Sequence, residues 1–574
     1  MKKTLLFITI ILFAIVFVSC DFLSTTTYLT TAQGTTLETN SEATTNTTTT
    51  NQITNTTTSQ TTNATTTQTT TQTTTQATTS QSTTQVTTTE VVYDRYQTIN
   101  FYSLNDFHGG TYSDIANLEE IGAFLKAEKA NSENTVILSN GDIFQGAALS
   151  NYYYGRPIVD VFNNIGFDGF VIGNHEFDWG IDKITEYNDG LTENGEMDYP
   201  ILAANIVYQD TQEQVENTVP YIIKEMSGVK VGIIGLIGDV INSISASRVD
   251  NIEFLDPADT IYQYAEELRV DEACDIVVVY IHNGSSINSE VANFSGNHYV
   301  DAIFNGHTHQ SETASVSRSN GGLPLYYAQA GNRESSLFVG ISLVYDHDQD
   351  MVTNGSVTNY EFDDIDYLSD SEIFNILNSY MTDTIYTNFV TEELTVASDY
   401  YSRYDLVEWG ATVLRDYVGI DAGALNSGGF RNGIESGILT MGDMIEIYPF
   451  DNYIKTCEMT GYEFSNLYDN LSGEDVYWDQ GVYKTNGTLY INGAAVVNEQ
   501  IYVIGAVDYV FDKTYYDFLD GNNVTLTTYL MRDLLIEDLR NTVGNFNPDN
   551  GTSYQELFTV YDPNYYRELE LSLR

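Results

Sequence analysis

Apolar positions are unevenly spread along this chain, and the unevenness divides it. One apolar run fills residues 4–18, and residues 24–90 carry almost no apolar side chains. From about Val91 onward short apolar runs recur to the end. Within that last region the runs at 98–104, 135–139, 169–172, 230–236, 275–281 and 301–304 read as buried strands. Between them, residues 119–129 and 257–268 have the spacing of helices that hide one face. Strands alternating with helices predict an α/β layered domain over residues 93–365. A helical stretch at 371–391 predicts a linker helix within 366–394, and a second α/β region follows over 395–574.

The first 92 residues read differently. Lys2 and Lys3 precede the apolar run, which is short for a membrane span and has the flanks of a signal peptide. It ends Phe17-Val18-Ser19-Cys20, which resembles a bacterial lipobox. Residues 1–20 are therefore expected to be a lipoprotein signal peptide, with Cys20 the lipid anchor in the membrane; an ordinary cleavable signal is the other reading. Residues 21–92 are dominated by Thr with Ser, Gln and Asn, and cannot bury enough apolar surface to offset ordering. A disordered stalk is expected, with an r.m.s. span of roughly 45 Å. The expected location is the extracellular face of the cell membrane, or secreted or periplasmic without the lipid.

Composition narrows the partners. With 80 Asp+Glu against 23 Lys+Arg, the chain is a poor match for a nucleic-acid backbone. Beyond Cys20 only Cys274 and Cys457 remain, too few for a disulfide framework or a thiolate metal site. No protein partner is expected.

The chemistry lies where the predicted strands end. After 98–104 comes Asn105-Asp106-Phe107-His108-Gly109, after 135–139 Asn140-Gly141-Asp142, and after 169–172 Gly173-Asn174-His175-Glu176-Phe177-Asp178. After 275–281 comes His282-Asn283-Gly284, and after 301–304 Asn305-Gly306-His307-Thr308-His309. In open α/β sheets ligands bind beyond the carboxyl ends of strands. Asp106 and His108, like His307 and His309, are two residues apart, so on extended backbone each pair points to one side. Five of the seven histidines fall in these blocks. Carboxylate, imidazole and amide donors together suit zinc, manganese, iron or cobalt better than calcium.

These five blocks resemble the calcineurin-like metallophosphoesterase superfamily, and more closely the secreted bacterial 5′-nucleotidase and UDP-sugar hydrolase family. The resemblance runs from about Gln97 to the end. It implies a four-layer α/β/β/α metal domain and a second α/β nucleotide-binding domain joined by a helix. Residue by residue, it assigns one divalent ion to Asp106, His108, Asp142 and His309, and a second to Asp142, Asn174, His282 and His307. His175 and Asp178 would be the catalytic dyad, the histidine facing the phosphoryl group and the aspartate orienting it. Two such ions would clamp phosphoryl oxygens for in-line attack.

The second region contains Asn426-Ser427-Gly428-Gly429-Phe430-Arg431 and, further on, Tyr448-Pro449-Phe450-Asp451-Asn452. A Gly pair beside Arg is a close-approach loop with a phosphate-binding guanidinium. The resemblance implies that Asn426 and Arg431 contact substrate, that Phe450 stacks on the base, and that Arg403 binds phosphate, with Gly428, Gly429 and Asn452 in the same pocket. Two departures stand out. Asp405 occupies a position that is often basic, and the Gly-Gly-Asp turn expected after the second aromatic, Tyr509, is absent. The function implied is release of phosphate from nucleoside 5′-monophosphates. A nucleotide-sugar, 2′,3′-cyclic-nucleotide or broad phosphomonoester hydrolase is the second reading, and a non-enzymatic surface adhesin the third.

Overall fold

The computed structural model describes residues 93–110, 114–192, 195–331, 337–365 and 368–550. The expected signal peptide with Cys20, the stalk at 21–92 and the last residues of the expected second domain lie outside the described residues. Among the described residues, no helix is long and apolar enough to cross a membrane.

Two sheets form the centre of the first domain. One has seven strands in the order Met351–Tyr360, Phe338–Asp346, Tyr96–Leu104, Thr135–Asn140, Gly169–Val171, Ile201–Leu202, Thr218–Val219. The other has six, in the order Glu312–Val316, Leu325–Gln329, Ala302–Phe304, Ile276–His282, Val229–Ile237, Tyr221–Met226. Their inner faces share one core, in which Phe101, Val136, Leu138 and Val171 meet Ile233, Val278, Tyr280 and Phe304. On the outer face of the first sheet, Ile137 and Phe170 pack with Leu118, Ile121 and Phe162 from the Asp114–Asn131 and Arg156–Ile165 helices. On the outer face of the second, Val277, Val279 and Ile281 pack with Ile261, Ala265 and Leu268 of the Pro257–Val270 helix. The layers are thus helix, sheet, sheet, helix. Strands covered on both faces need apolar residues at every position, which is why Ile276–His282 reads as an unbroken apolar run.

The expected helix at 371–391 is two helices, Ser371–Met381 and Thr384–Val390. Asp383 causes the break. Its backbone is non-helical, and its carboxylate accepts the Ile385 and Tyr386 N–H groups at 2.9 and 3.0 Å. That capping satisfies donors which a continuous helix would have paired internally.

The second domain is built on a mixed five-stranded sheet, ordered Val476–Trp478, Ala422–Asn426, Ile501–Val507, Tyr453–Thr460, Asn522–Leu530. The Arg403–Val418 helix lays Leu406, Val407, Val413 and Leu414 into the same core as Ala424 and Ile504. Ala148, from the short Ala148–Tyr152 helix of the first domain, is buried in this core as well. The two domains therefore meet beside the carboxyl ends of the first sheet.

Candidate active site

The five sequence blocks converge beyond the strand ends, but not by the extended geometry their spacing suggests. Asp106, His108, Asp142, His307 and His309 all have left-handed backbone, with φ of 52°, 51°, 55°, 75° and 55°. Each pair reaches its common point through tight left-handed turns. A non-glycine residue costs roughly 1–2 kcal/mol in this region, so the surrounding packing has to hold it there. Two glycines allow the close approach. A Cβ on Gly141 would lie 2.4 Å from His282 Nδ1, and one on Gly173 would lie 2.4 Å from Asp142 Oδ1.

Two groups of donors result, each with ligand atoms within 4.8 Å of one another: Asp106, His108, Asp142 and His309, and Asp142, His282 and His307. Asp142 belongs to both. In the first, His108 Nε2 lies 3.1 Å from His309 Nε2, and His309 Nε2 lies 3.4 Å from Asp106 Oδ1. In the second, His282 Nε2 lies 3.1 Å from Asp142 Oδ2, and Asn174 Oδ1 lies 3.2 Å from His282 Nε2 and 2.7 Å from His307 Nδ1. The structure thus brings together all seven residues expected as ligands.

The ring orientations fit a divalent cation. His108 Nδ1 faces the Gln145 carbonyl at 3.1 Å, and His282 Nδ1 faces the Asn140 carbonyl at 2.8 Å. A carbonyl only accepts, so each Nδ1 carries a proton and Nε2 is the nitrogen turned inward; Asp142 raises His282 to about 10 against the effect of burial, so an ion taking that nitrogen would displace the proton it shares with Asp142. Burial, with the charge of His282 beside it, takes His307 down to about 4 against the pull of Asp142; burial and Arg431 take His309 to about 4. Both rings are neutral donors at neutral pH. Burial alone would raise the Asp142 carboxyl, but His282, His175 and His108 around it hold it well below the usual range.

Glu176 is not singled out by the sequence blocks, yet it ties two of them together. Its buried carboxylate accepts N–H bonds from Asp142 at 2.8 Å, Ile143 at 2.9 Å and Gly173 at 2.7 Å. Its one signal in the sequence is its position inside the Asn174–Asp178 block.

His175 and Asp178 form the expected pair, with His175 Nδ1 2.8 Å from Asp178 Oδ2. Burial lowers the His175 pKa, but Asp178 and Asp142 outweigh it and leave the imidazole raised above its ordinary value. The His175 ring sits 5.1 Å from the His108 ring and 5.6 Å from the ring of Phe450. A second-domain side chain is thereby placed against the dyad.

Of the other expected second-domain residues, Arg431 and Tyr509 come near that contact. The Arg431 guanidinium lies 5.6 Å over the Phe450 ring, and its charge reaches His108, His175 and His309. Asn426 ends its strand at the Ser427–Gly429 turn, where Asp475 accepts from Ser427 Oγ and from the Gly428 N–H at 3.3 Å. Gly429 lets that turn press on Tyr448, which a Cβ would meet at 2.9 Å. Tyr509 sits in the short Asp508–Phe511 helix, within the field of Asp178, Arg431 and Asp475. Arg403 opens its helix just ahead of Asp405, and its guanidinium donates to the Tyr404 hydroxyl at 2.8 Å. Asp405 is a capping residue: its carboxylate accepts the Ser402 N–H at 2.8 Å. The Asn452 Nδ2 donates to Asp508 at 3.1 Å and to Ser245 of the first domain at 3.4 Å.

The domains are joined by further bonds. Ser247 donates to Asp508 at 3.2 Å and Arg248 to the Asp451 carbonyl at 3.1 Å. Asn151 makes two contacts: its Oδ1 accepts the Gly146 N–H at 2.9 Å, and its Nδ2 donates to the Pro449 carbonyl at 3.2 Å.

Comparison with known proteins matches this build. Residues 99–311 match the calcineurin-like phosphoesterase family, and residues 379–517 match the 5′-nucleotidase C-terminal domain. The chain is 25% identical over 461 residues to endonuclease YhcR of Bacillus subtilis, covering 72% of this chain and 37% of that protein. It is 29% identical over 270 residues to cell wall protein Lmo0130 of Listeria monocytogenes, covering 38% of this chain and 34% of that protein. The chain thus spans little more than a third of the length of these two relatives. Among solved structures, a 5′-nucleotidase precursor from Thermus thermophilus superposes with a TM-score of 0.60 at 17% identity, covering 77% of this chain and 96% of that one.

Proposed function

This chain is built as a calcineurin-like metallophosphoesterase with a 5′-nucleotidase C-terminal domain, and from that premise we propose that it hydrolyses nucleoside 5′-monophosphates outside the cytoplasm. Asp106, His108, Asp142 and His309 would hold one divalent ion, and Asp142, Asn174, His282 and His307 a second, with zinc, manganese, iron or cobalt suited to the donors. When bound, these ions would supply Lewis acidity toward a phosphoryl group and lower the pKa of water.

The chain's own groups do the rest. Asp178 holds the proton on His175 Nδ1, so Nε2 is the atom free to face the phosphoryl oxygens. The raised pKa of this imidazole keeps it protonated longer as pH climbs, which suits a donor to developing negative charge. Arg431 adds a fixed positive charge on the same side. Phe450, Tyr509 and the Asn426–Gly429 turn would bind the nucleoside.

The observation that carries this reading is the Phe450 ring resting 5.6 Å from the His175 ring, which joins an aromatic recognition face to the dyad. A general phosphomonoesterase has no need of that ring. Stacking contributes about 1–3 kcal/mol per ring, so Phe450→Ala should raise KM for AMP roughly 5- to 150-fold. Hydrolysis of p-nitrophenyl phosphate should hardly change. Phosphate release from AMP and UMP, and chromatography of the products from UDP-glucose, a 2′,3′-cyclic nucleotide and DNA, with each metal added, complete the test. If Phe450→Ala and Tyr509→Ala leave AMP unaffected, the nucleotide reading fails and the general phosphohydrolase stands.

A relative named a cell wall protein supports a location outside the cytoplasm. Lipidation at Cys20 with the 21–92 stalk as spacer would tether the enzyme there.

A further inference from the structure

The Gly-Gly-Asp turn expected after Tyr509 is absent, and the structure shows what stands in its place. The chain continues from the Asp508–Phe511 helix through Asp512 to Lys513. Lys513 is a buried lysine at the domain boundary, with 7% of its surface exposed. Its Nζ lies 4.1 Å from the centroid of the Tyr509 ring and donates to the Asn242 carbonyl of the first domain. The neighbouring carboxylate, Asp512, is held by Lys455 at 2.6 and 2.7 Å.

A lysine head group is costly to bury, because desolvation disfavours its charge. That cost shows in the ammonium, which burial takes down to about 8 against the pull of Asp512. A charged group held there needs compensation, and two sources are visible: the negative face of the Tyr509 ring and the Asn242 oxygen. The contact has a direction. One face of Tyr509 is covered by the ammonium, so a planar ligand stacking on this ring would have to use the opposite face. The same ammonium fixes that ring relative to the first domain, which carries the dyad. The ring's phenol lies within the field of Asp178 of the dyad and of Arg431.

We propose that Lys513 is a positioning residue for base recognition: through a cation–π contact and its bond to Asn242 it locks Tyr509 as one wall of the nucleoside pocket, in place of the missing turn. This rests on the nucleotide reading given above. Lys513 touches neither the phosphoryl group nor the dyad, so its effect should appear in binding of substrates that carry a base and in little else.

The test uses the metal-loaded full chain. Lys513→Met keeps the aliphatic stem and removes the ammonium. Cation–π contacts of this kind predict a rise in KM for AMP of about 3- to 30-fold, with kcat within about twofold. The kcat/KM for p-nitrophenyl phosphate, which offers no base, should fall no more than about twofold. In a Tyr509→Ala background the same substitution should no longer change KM for AMP, because the effect passes through the ring. If the methionine variant does not fold, Lys513→Gln removes the charge while keeping a donor for Asn242, and is read in the same way. An unchanged KM for AMP, equal losses on both substrates, or an effect that persists without the Tyr509 ring each overturns the proposal. A wild-type enzyme that releases phosphate from p-nitrophenyl phosphate but not from AMP refutes the nucleotide reading itself, which is a separate result.

Discussion

Removing the Glu176 carboxylate should unseat the metal-binding loops without touching a metal ligand. Three buried N–H groups, on Asp142, Ile143 and Gly173, end on that one side chain at 2.7–2.9 Å. In Glu176→Ala all three lose their acceptor. A buried donor left unsatisfied costs about 1–3 kcal/mol, and water entering the vacated space would satisfy some of them. The expected destabilisation is about 3–6 kcal/mol, a large part of a typical domain's stability. At about 2–4 °C per kcal/mol for a domain of this size, the melting temperature should fall by roughly 6–24 °C. Glu176→Gln keeps the volume but turns an amide NH2 toward one of the donors, so it should lose about half as much. Activity should fall with both variants, by about 100-fold for the alanine, because Asp142 and Asn174 ride on the two loops being held. Differential scanning calorimetry and phosphate release on the metal-loaded protein measure the two effects. A Glu176→Ala enzyme melting within about 2 °C of wild type would refute this account of how the loops are held.

Asp142 lies in both donor groups, so Asp142→Ala or a strong chelator should abolish hydrolysis; full turnover in either case would sink the two-metal reading. His175→Ala should keep its metal content and lose about two to four orders of magnitude in turnover. His307→Ala should lose metal instead, and elemental analysis showing equal loss in both would reverse the roles assigned to these histidines. Cys20→Ala should move the protein from the membrane fraction to the soluble fraction, and persistent membrane association would argue against a lipid anchor.

The central strands of the metal domain are legible because they are covered on both faces, which forces continuous apolar runs. The ligand blocks are legible because Asp, Asn and His set beside glycine at five strand ends contribute nothing to an apolar core. How those side chains reach a common point is not legible, since Asp and His are enriched at left-handed φ but their presence does not say which positions adopt it. The split of the linker at Asp383 escapes the pattern because one capping carboxylate outweighs a continuous helical spacing. The Phe338–Asp346 and Met351–Tyr360 hairpin escapes it too: its second strand alternates buried and exposed positions and presents no apolar run. Glu176 and Lys513 act through backbone groups and a ring brought to them by the fold, and contacts of that kind exist only once the chain is folded. Asn452 shows the converse, a motif residue whose amide is taken up by Asp508 and Ser245.

One amide gives the two halves of this enzyme a common account. Asn151 holds Gly146, at the end of the loop that carries Asp142, and with its other atom holds Pro449, the residue before Phe450. Whatever free energy passes through that side chain passes equally in both directions, because coupling between two binding equilibria is reciprocal. If a base that settles the Pro449–Phe450 turn changes metal affinity by some factor, metal must change nucleoside affinity by the same factor. A nucleoside without a phosphate, which cannot react, is the ligand with which that equality can be read at equilibrium.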